Sequence, residues 1–176
     1  MLYLERDEEA RQRFLEALEK IPPENRVYMD ESGVDDTLQR QYGRALRGEE
    51  VSGEISGKKA NRISIIAALN QKQLIAPFRF EGYCDQEVVN VWAEECLVSC
   101  LQPGQVLIYD NASFHKASRL KEILEKVGVT VLPLPTYSPD LNPIENHWAV
   151  AKARIRKYRK PNQPLVEILD QVLCMT

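Results

Sequence analysis

Three carboxylates stand where their chemistry could be used. Asp30 falls near the end of the strand-like run "RVYMDESG" (26–33), Asp110 at the end of "QVLIYD", and Glu145 directly after the proline-rich "YSPDLNP". Strand ends in α/β sheets point side chains into the crevice where ligands bind. Carboxylate oxygens are hard donors suited to Mg2+ or Mn2+, which keep waters and substrate phosphates as further ligands. Two such ions about 4 Å apart activate a nucleophile and stabilise a leaving oxygen in phosphoryl transfer. Each acid also has an ordinary structural use. Asp30 before Ser32-Gly33 suits an Asx turn, and Asp110-Asn111 suits a turn or a helix cap. Glu145 suits a helix's first turn, where the dipole favours an acid by about 0.3–1 kcal/mol. Residue types alone leave an acidic metal site and three structural acids both open.

The elements that must position these acids follow from periodicity and breakers. Residues 4–20 predict a helix with an apolar stripe of Leu4, Phe14, Leu15 and Leu18, stopped by Pro22-Pro23. The first strand, 26–33, closes on Asp30 and Glu31; residues 34–58 are polar, predicting loops or a weak hairpin. Two strands follow, 61–70 and 74–82, turning at Asn70-Gln71. A helix is expected from Asp85, its N-cap, to Leu101, with Val88, Val89, Trp92, Cys96 and Leu97 on its apolar face. After Pro103-Gly104 come a strand ending at Asp110-Asn111, a helix over 116–127 closed by Gly128, and a strand over 129–135. Helices over 144–158 and roughly 164–175 complete the chain. This order predicts a mixed α/β layer: an antiparallel meander, then parallel crossovers.

At 176 residues, 44% hydrophobic and 28% charged, the chain reads as one globular domain. It has no run of 18 apolar residues, so no membrane span is expected. The N-terminus is a charged helix pattern rather than a signal peptide, and cytoplasmic residence is the expectation. Cys84, Cys96, Cys100 and Cys174 form no CxxC pair, and with only two histidines the chain is poorly supplied for zinc. The cysteines are expected to be reduced and mostly buried. Residues 1–31 carry nine acidic and five basic groups, whereas "AKARIRKYRK" (151–160) carries six basic groups and no acid. Such a block suits a nucleic-acid contact or a solvated helix face, and both readings stand.

Longer motifs narrow the choice. "MDESG", "LIYDNASFHKA" and "LPTYSPDLNPIENHWAVAK" together resemble the catalytic domain of mariner-like transposases, in the bacterial insertion-sequence branch. "RISIIAALN" and "APFRFEG" extend the likeness from about Val27 to Tyr158, and thirty-four residues separate Asp110 from Glu145, a spacing typical of that superfamily. One segment departs from it: "YGRAL" (42–46) has Arg44 where a Trp is usual and Leu46 where a Pro is usual.

The resemblance implies an RNase H-like fold, a mixed five-stranded sheet flanked by helices. It implies that Asp30, Asp110 and Glu145 are the catalytic triad and the ligands of two Mg2+ or Mn2+ ions. By the same resemblance Asn111, His115 and Asn142 support the metal ligands or contact DNA, while Lys152, Arg154, Arg156 and Lys157 hold the DNA backbone. Ser138, Pro139, Asn142 and Pro143 shape the loop that delivers Glu145, and Asn146 and Trp148 support its helix by packing and hydrogen bonding. The implied activity is metal-dependent cleavage at transposon ends, then strand transfer into target DNA, usually at a TA dinucleotide, by a homodimer on DNA in the bacterial nucleoid. Residues 1–25 are expected to be a helical linker and 26–176 the catalytic domain, without the helix-turn-helix domains of full-length relatives. Two rivals remain: a non-catalytic orphan or domesticated remnant of a transposase, and an RNase H-like nuclease with another substrate.

Overall fold

The structure, a computed structural model, describes residues 7–35, 38, 44–50, 62–110, 118–160 and 163–174. Its centre is set by the β-branched run "RISIIAALN". This strand, β2 (Arg62–Asn70), is buried at every residue from Ile63 to Leu69, as a strand covered on both faces must be. It pairs antiparallel with β1 (Arg26–Asp35) on one side and β3 (Gln73–Glu81) on the other. On its far side β1 pairs parallel with β4 (Val106–Tyr109), which pairs parallel with β5 (Thr130–Pro133). The sheet order is β3-β2-β1-β4-β5, so the expected meander and parallel crossovers both form.

Among the described residues five α-helices flank this sheet: α1 (Glu8–Glu19), α2 (Gln86–Trp92), α3 (Ser118–Glu125), α4 (Ile144–Tyr158) and α5 (Leu165–Leu173). Asp85 caps α2 as expected, accepting the Val88 N–H at 2.9 Å, and Asp7 caps α1 in the same way through Ala10. Alternation along β1 divides the core. Val27 and Met29 face Trp92, Leu97, Leu120 and Leu124, whereas Val34 faces Ile144, Trp148, Ile155 and Leu169. Asp30, one residue beyond Met29, therefore points to the α4 side. The N-terminal helix makes a third cluster, with Phe14, 5% exposed, against Ile108 and Leu134.

Several expectations are corrected. β1 does not close at Asp30, because its ladder with β2 continues from Asp30↔Ala67 to Asp35↔Arg62. The helix after Asp85 is regular only to Trp92; a wide π turn over Ala93–Leu97 and a tight 3-10 turn over Val98–Cys100 follow. The tightening lets the Leu101 N–H reach the Val98 carbonyl at 3.3 Å before the chain turns at Pro103-Gly104. The four free cysteines are less buried than expected. Cys84 and Cys96 are half-buried, and Cys100 and Cys174 are exposed because each sits where a helix leaves the core. Gly128 does close the turn after α3, at φ +73, and a Cβ there would stand 3.2 Å from Pro103 Cβ. Most of 34–58 lies outside the described residues; within 44–50 the chain turns at Arg47-Gly48 and leaves Leu46 76% exposed. No described helix is long and apolar enough to cross a membrane.

Candidate active site

Strand register brings the two aspartates together. The parallel ladder pairs Arg26 with Val106, Val27 with Leu107 and Tyr28 with Ile108, a constant offset of 80 that ends there. Carried two residues past the last pair, the same offset runs from Asp30 to Asp110, the residue directly after β4. Asp30 thus lies two residues past the parallel ladder, on a strand still paired there with β2. The charge of Asp110 reaches Asp30, behind those of Glu145 and Glu31.

Glu145 arrives from the other end of the fold. A 3-10 turn over Pro139–Leu141 is followed by buried Asn142 and by Pro143, whose φ of −66° is already helical. The Glu145 N–H donates to the Asn142 carbonyl at 3.2 Å, which places the carboxylate in the first turn of α4. Asn142 Nδ2 donates to the Met29 carbonyl at 3.3 Å, and Trp148 Nε1 donates to Asp30 Oδ2 at 3.0 Å. The loop is also held from outside: the Arg11 guanidinium donates to both Asp140 oxygens, at 3.0 and 2.7 Å. This bidentate pair ties α1 to the segment that delivers Glu145.

Asp30, Asp110 and Glu145 all line one cavity of about 350 Å³, whose rim includes Thr136, Tyr137 and Asn142. Tyr137 is half-exposed and sits at φ +55, a left-handed conformation that costs a non-glycine residue about 1–2 kcal/mol.

The cavity accumulates negative charge. Burial, then the charges of Glu145, Glu31 and Asp110, push the Asp30 carboxyl up to about 8, partly offset by a hydrogen bond from the Glu31 backbone. Burial also raises Glu145; Lys152 opposes this, while Asp110 and Glu31 reinforce it. Nearby Cys84 is pushed up to about 12, first by burial and then by Glu31, Asp85 and Asp30, so it stays a thiol. Clustered carboxylates that resist ionising together suit a cation. Yet among the described residues no three His, Cys, Asp or Glu side chains converge closely enough to hold an ion by themselves. The donor set fits Mg2+ or Mn2+ in the usual manner of those ions, with few carboxylates and the remaining ligands from water and phosphate.

The basic run is not a single face. At about 100° per residue, Lys152 and Arg156 return to within about 20° of Glu145 around α4, whereas Arg154 is opposite and Lys157 about 120° away. Lys152 is the one whose charge reaches Glu145, and the Lys157 ammonium lies over the Tyr158 ring at 5.0 Å. Asn111 and His115 lie outside the described residues. The sequence pattern missed the Trp148–Asp30 and Arg11–Asp140 contacts and the place of Tyr137 at the rim. An indole at i+3 from Glu145 was the one available hint of the first.

The sequence profile of the DDE superfamily endonucleases matches residues 25–164. The chain belongs to that family. The DDE domain is 31% identical over 77 residues to the transposable element Tcb2 transposase of Caenorhabditis briggsae, covering 39% of this chain and 28% of that protein. It is 46% identical over 44 residues to human histone-lysine N-methyltransferase SETMAR, covering 25% of this chain and 6% of that protein. Its fold is similar to that in the Mos1 transposase paired-end complex with the left transposon end, at TM-score 0.74, 17% identity and coverage of 100% of this chain and 58% of that one. The isolated catalytic domain of Mos1 mariner transposase gives TM-score 0.61 at 14% identity, over 100% of this chain and 86% of that one. These likenesses establish the RNase H-like fold. The DDE domain thus spans about a quarter of the Tcb2 transposase and somewhat over half of the Mos1 chain.

Proposed function

We propose that this DDE domain is the catalytic part of a mariner-like transposase, cutting DNA at transposon ends and joining the freed 3′-OH to target DNA. One observation carries the reading: three acids from β1, the end of β4 and the start of α4 face a single open cavity. Asp30, Asp110 and Glu145 would hold the divalent ions, which supply an activated nucleophile and charge neutralisation at the leaving oxygen. Mos1 paired-end complexes with Mn and with Mg support that choice of metal. The protein's own work is positioning. β1 and β4 bring the aspartates to one end of the sheet, the proline-rich loop aims Glu145, and Lys152 and Arg156 on the same stripe of α4 meet the polyanionic backbone.

The wider reading includes action as a homodimer on DNA in a bacterial nucleoid, within the insertion-sequence branch suggested by "SPDLNPIE", and α1 as the connection to end-binding domains. Supercoiled plasmid and inverted-repeat duplexes from the DNA flanking the gene, incubated with Mn2+, test the chemistry. Nicking by the wild type and its loss in Asp30→Ala, Asp110→Ala and Glu145→Ala, each still folded, is the expected result. Metal-dependent nicking retained in all three variants would overturn the assignment, and cleavage of an RNA–DNA hybrid alone would redirect it to another nuclease.

A further inference from the structure

We propose that Trp148 is a positioning residue for the acidic centre, its indole N–H fixing the orientation in which Asp30 offers its carboxylate to a divalent ion. The inference rests on the metal-dependent reading above and extends it to a side chain that lines none of the cavity.

Trp148 is 3% exposed, inside the apolar cluster shared by α4, α5 and β2. A buried indole N–H needs an acceptor. In this cluster the acceptor is neither a backbone carbonyl nor a solvent-facing group but Asp30 Oδ2, at 3.0 Å. That bond ties Oδ2 to the protein interior and, with the hydrogen bond from the Glu31 backbone, fixes how the carboxylate faces the cavity it lines. An unrestrained aspartate rotates about its terminal torsion; one held by a buried ring does not.

The same contact sets the relation between two ligands that are 115 residues apart in the chain. Trp148 lies three residues after Glu145, nearly one helical turn, and Asn142 lies three residues before it. Each reaches β1, Trp148 at Asp30 and Asn142 at the adjacent Met29 carbonyl. Glu145 is therefore bracketed by two tethers to the strand that carries its partner, and of these only the Trp148 bond touches a ligand atom. Hydrogen bonds that orient ligating carboxylates typically change metal affinity 10–100-fold when removed.

The test uses the full chain and Mn2+ alone, with free ion followed by electron paramagnetic resonance and thermal melts run with and without the metal. Trp148→Phe removes the N–H and keeps a buried ring. Trp148→benzothienylalanine keeps the shape of the indole with sulfur in place of N–H, and so covers the case in which the Phe variant folds poorly. Both are expected to bind Mn2+ at least about tenfold more weakly. The Mn2+ concentration giving half-maximal plasmid nicking should rise by a similar factor, and the rate should recover at saturating metal. A purely structural Trp148 would lower both melting temperatures equally and leave Mn2+ affinity unchanged in the benzothienyl variant. That result overturns the inference while the metal reading stands. A wild-type chain that binds no Mn2+ overturns the metal reading and this inference with it.

Discussion

Replacing Asp30 by asparagine is expected to stabilise the metal-free protein under the same mildly alkaline conditions in which it abolishes cleavage. Asp30 is 8% exposed, and burial beside Glu145, Glu31 and Asp110 takes its carboxyl from 3.8 to about 8. Because the folded-state value lies above the unfolded one, the native protein holds the proton more tightly across that interval. The group's contribution to stability is then fully present below about pH 4 and lost progressively as pH rises to about 8. At about 1.36 kcal/mol per pH unit across that interval, the loss is on the order of 5 kcal/mol at pH 8, against roughly 1–2 kcal/mol at pH 5. Asparagine removes the titration and keeps an oxygen to accept the Trp148 N–H. The advantage of Asp30→Asn over wild type should thus grow by about 4 kcal/mol between pH 5 and pH 8. For a domain of this size that corresponds to about 8–16 °C in melting temperature. Calorimetric melts in EDTA at pH 5, 6.5 and 8 measure it, and added Mn2+ should narrow the gap by stabilising only the wild type. A pH-independent difference between the two proteins, or an asparagine variant less stable than wild type at pH 8, would refute the electrostatic account of this site.

Two further outcomes follow from the packing of α1 and the geometry of α4. Phe14→Ala should destabilise the chain to urea by about 3–5 kcal/mol, since Phe14 is buried against Ile108 and Leu134; a helix serving only as a loose linker would show almost no change. Lys152→Gln and Arg156→Gln should each weaken binding to a mixed-sequence duplex and reduce the logarithmic salt slope by about one. Arg154→Gln, on the far side of the helix, should leave that slope unchanged, and equal effects at all three positions would show that DNA does not follow the Glu145 stripe.

Much of the architecture is written in local patterns. The β-branched "RISIIAALN" announces a strand buried on both faces. Asp85 announces its cap, and the bounds of α4 at Ile144 and Tyr158 agree with its periodicity. These features were legible because each depends on neighbours within a turn or two of backbone. The three acids were legible in a weaker sense. Position alone left caps and turns open, and only the long motifs around them gathered Asp30, Asp110 and Glu145 into one site.

What the amino-acid order could not express is how distant segments align. The offset of 80 that carries Asp30 and Asp110 to the same end of the sheet is a property of the β1–β4 ladder, and the extension of β1 past Asp30 belongs to its other partner, β2. The bonds that aim the acids join residues 118, 113 and 129 positions apart: Trp148 to Asp30, Asn142 to Met29, Arg11 to Asp140. The division of the basic run also took the structure, since it shows which side of α4 faces the cavity. Sequence by itself determined which side chains could do metal-assisted phosphoryl chemistry and which elements would carry them. Tertiary structure decided that they meet, because strand register and buried hydrogen bonds are settled by packing between segments far apart in the chain.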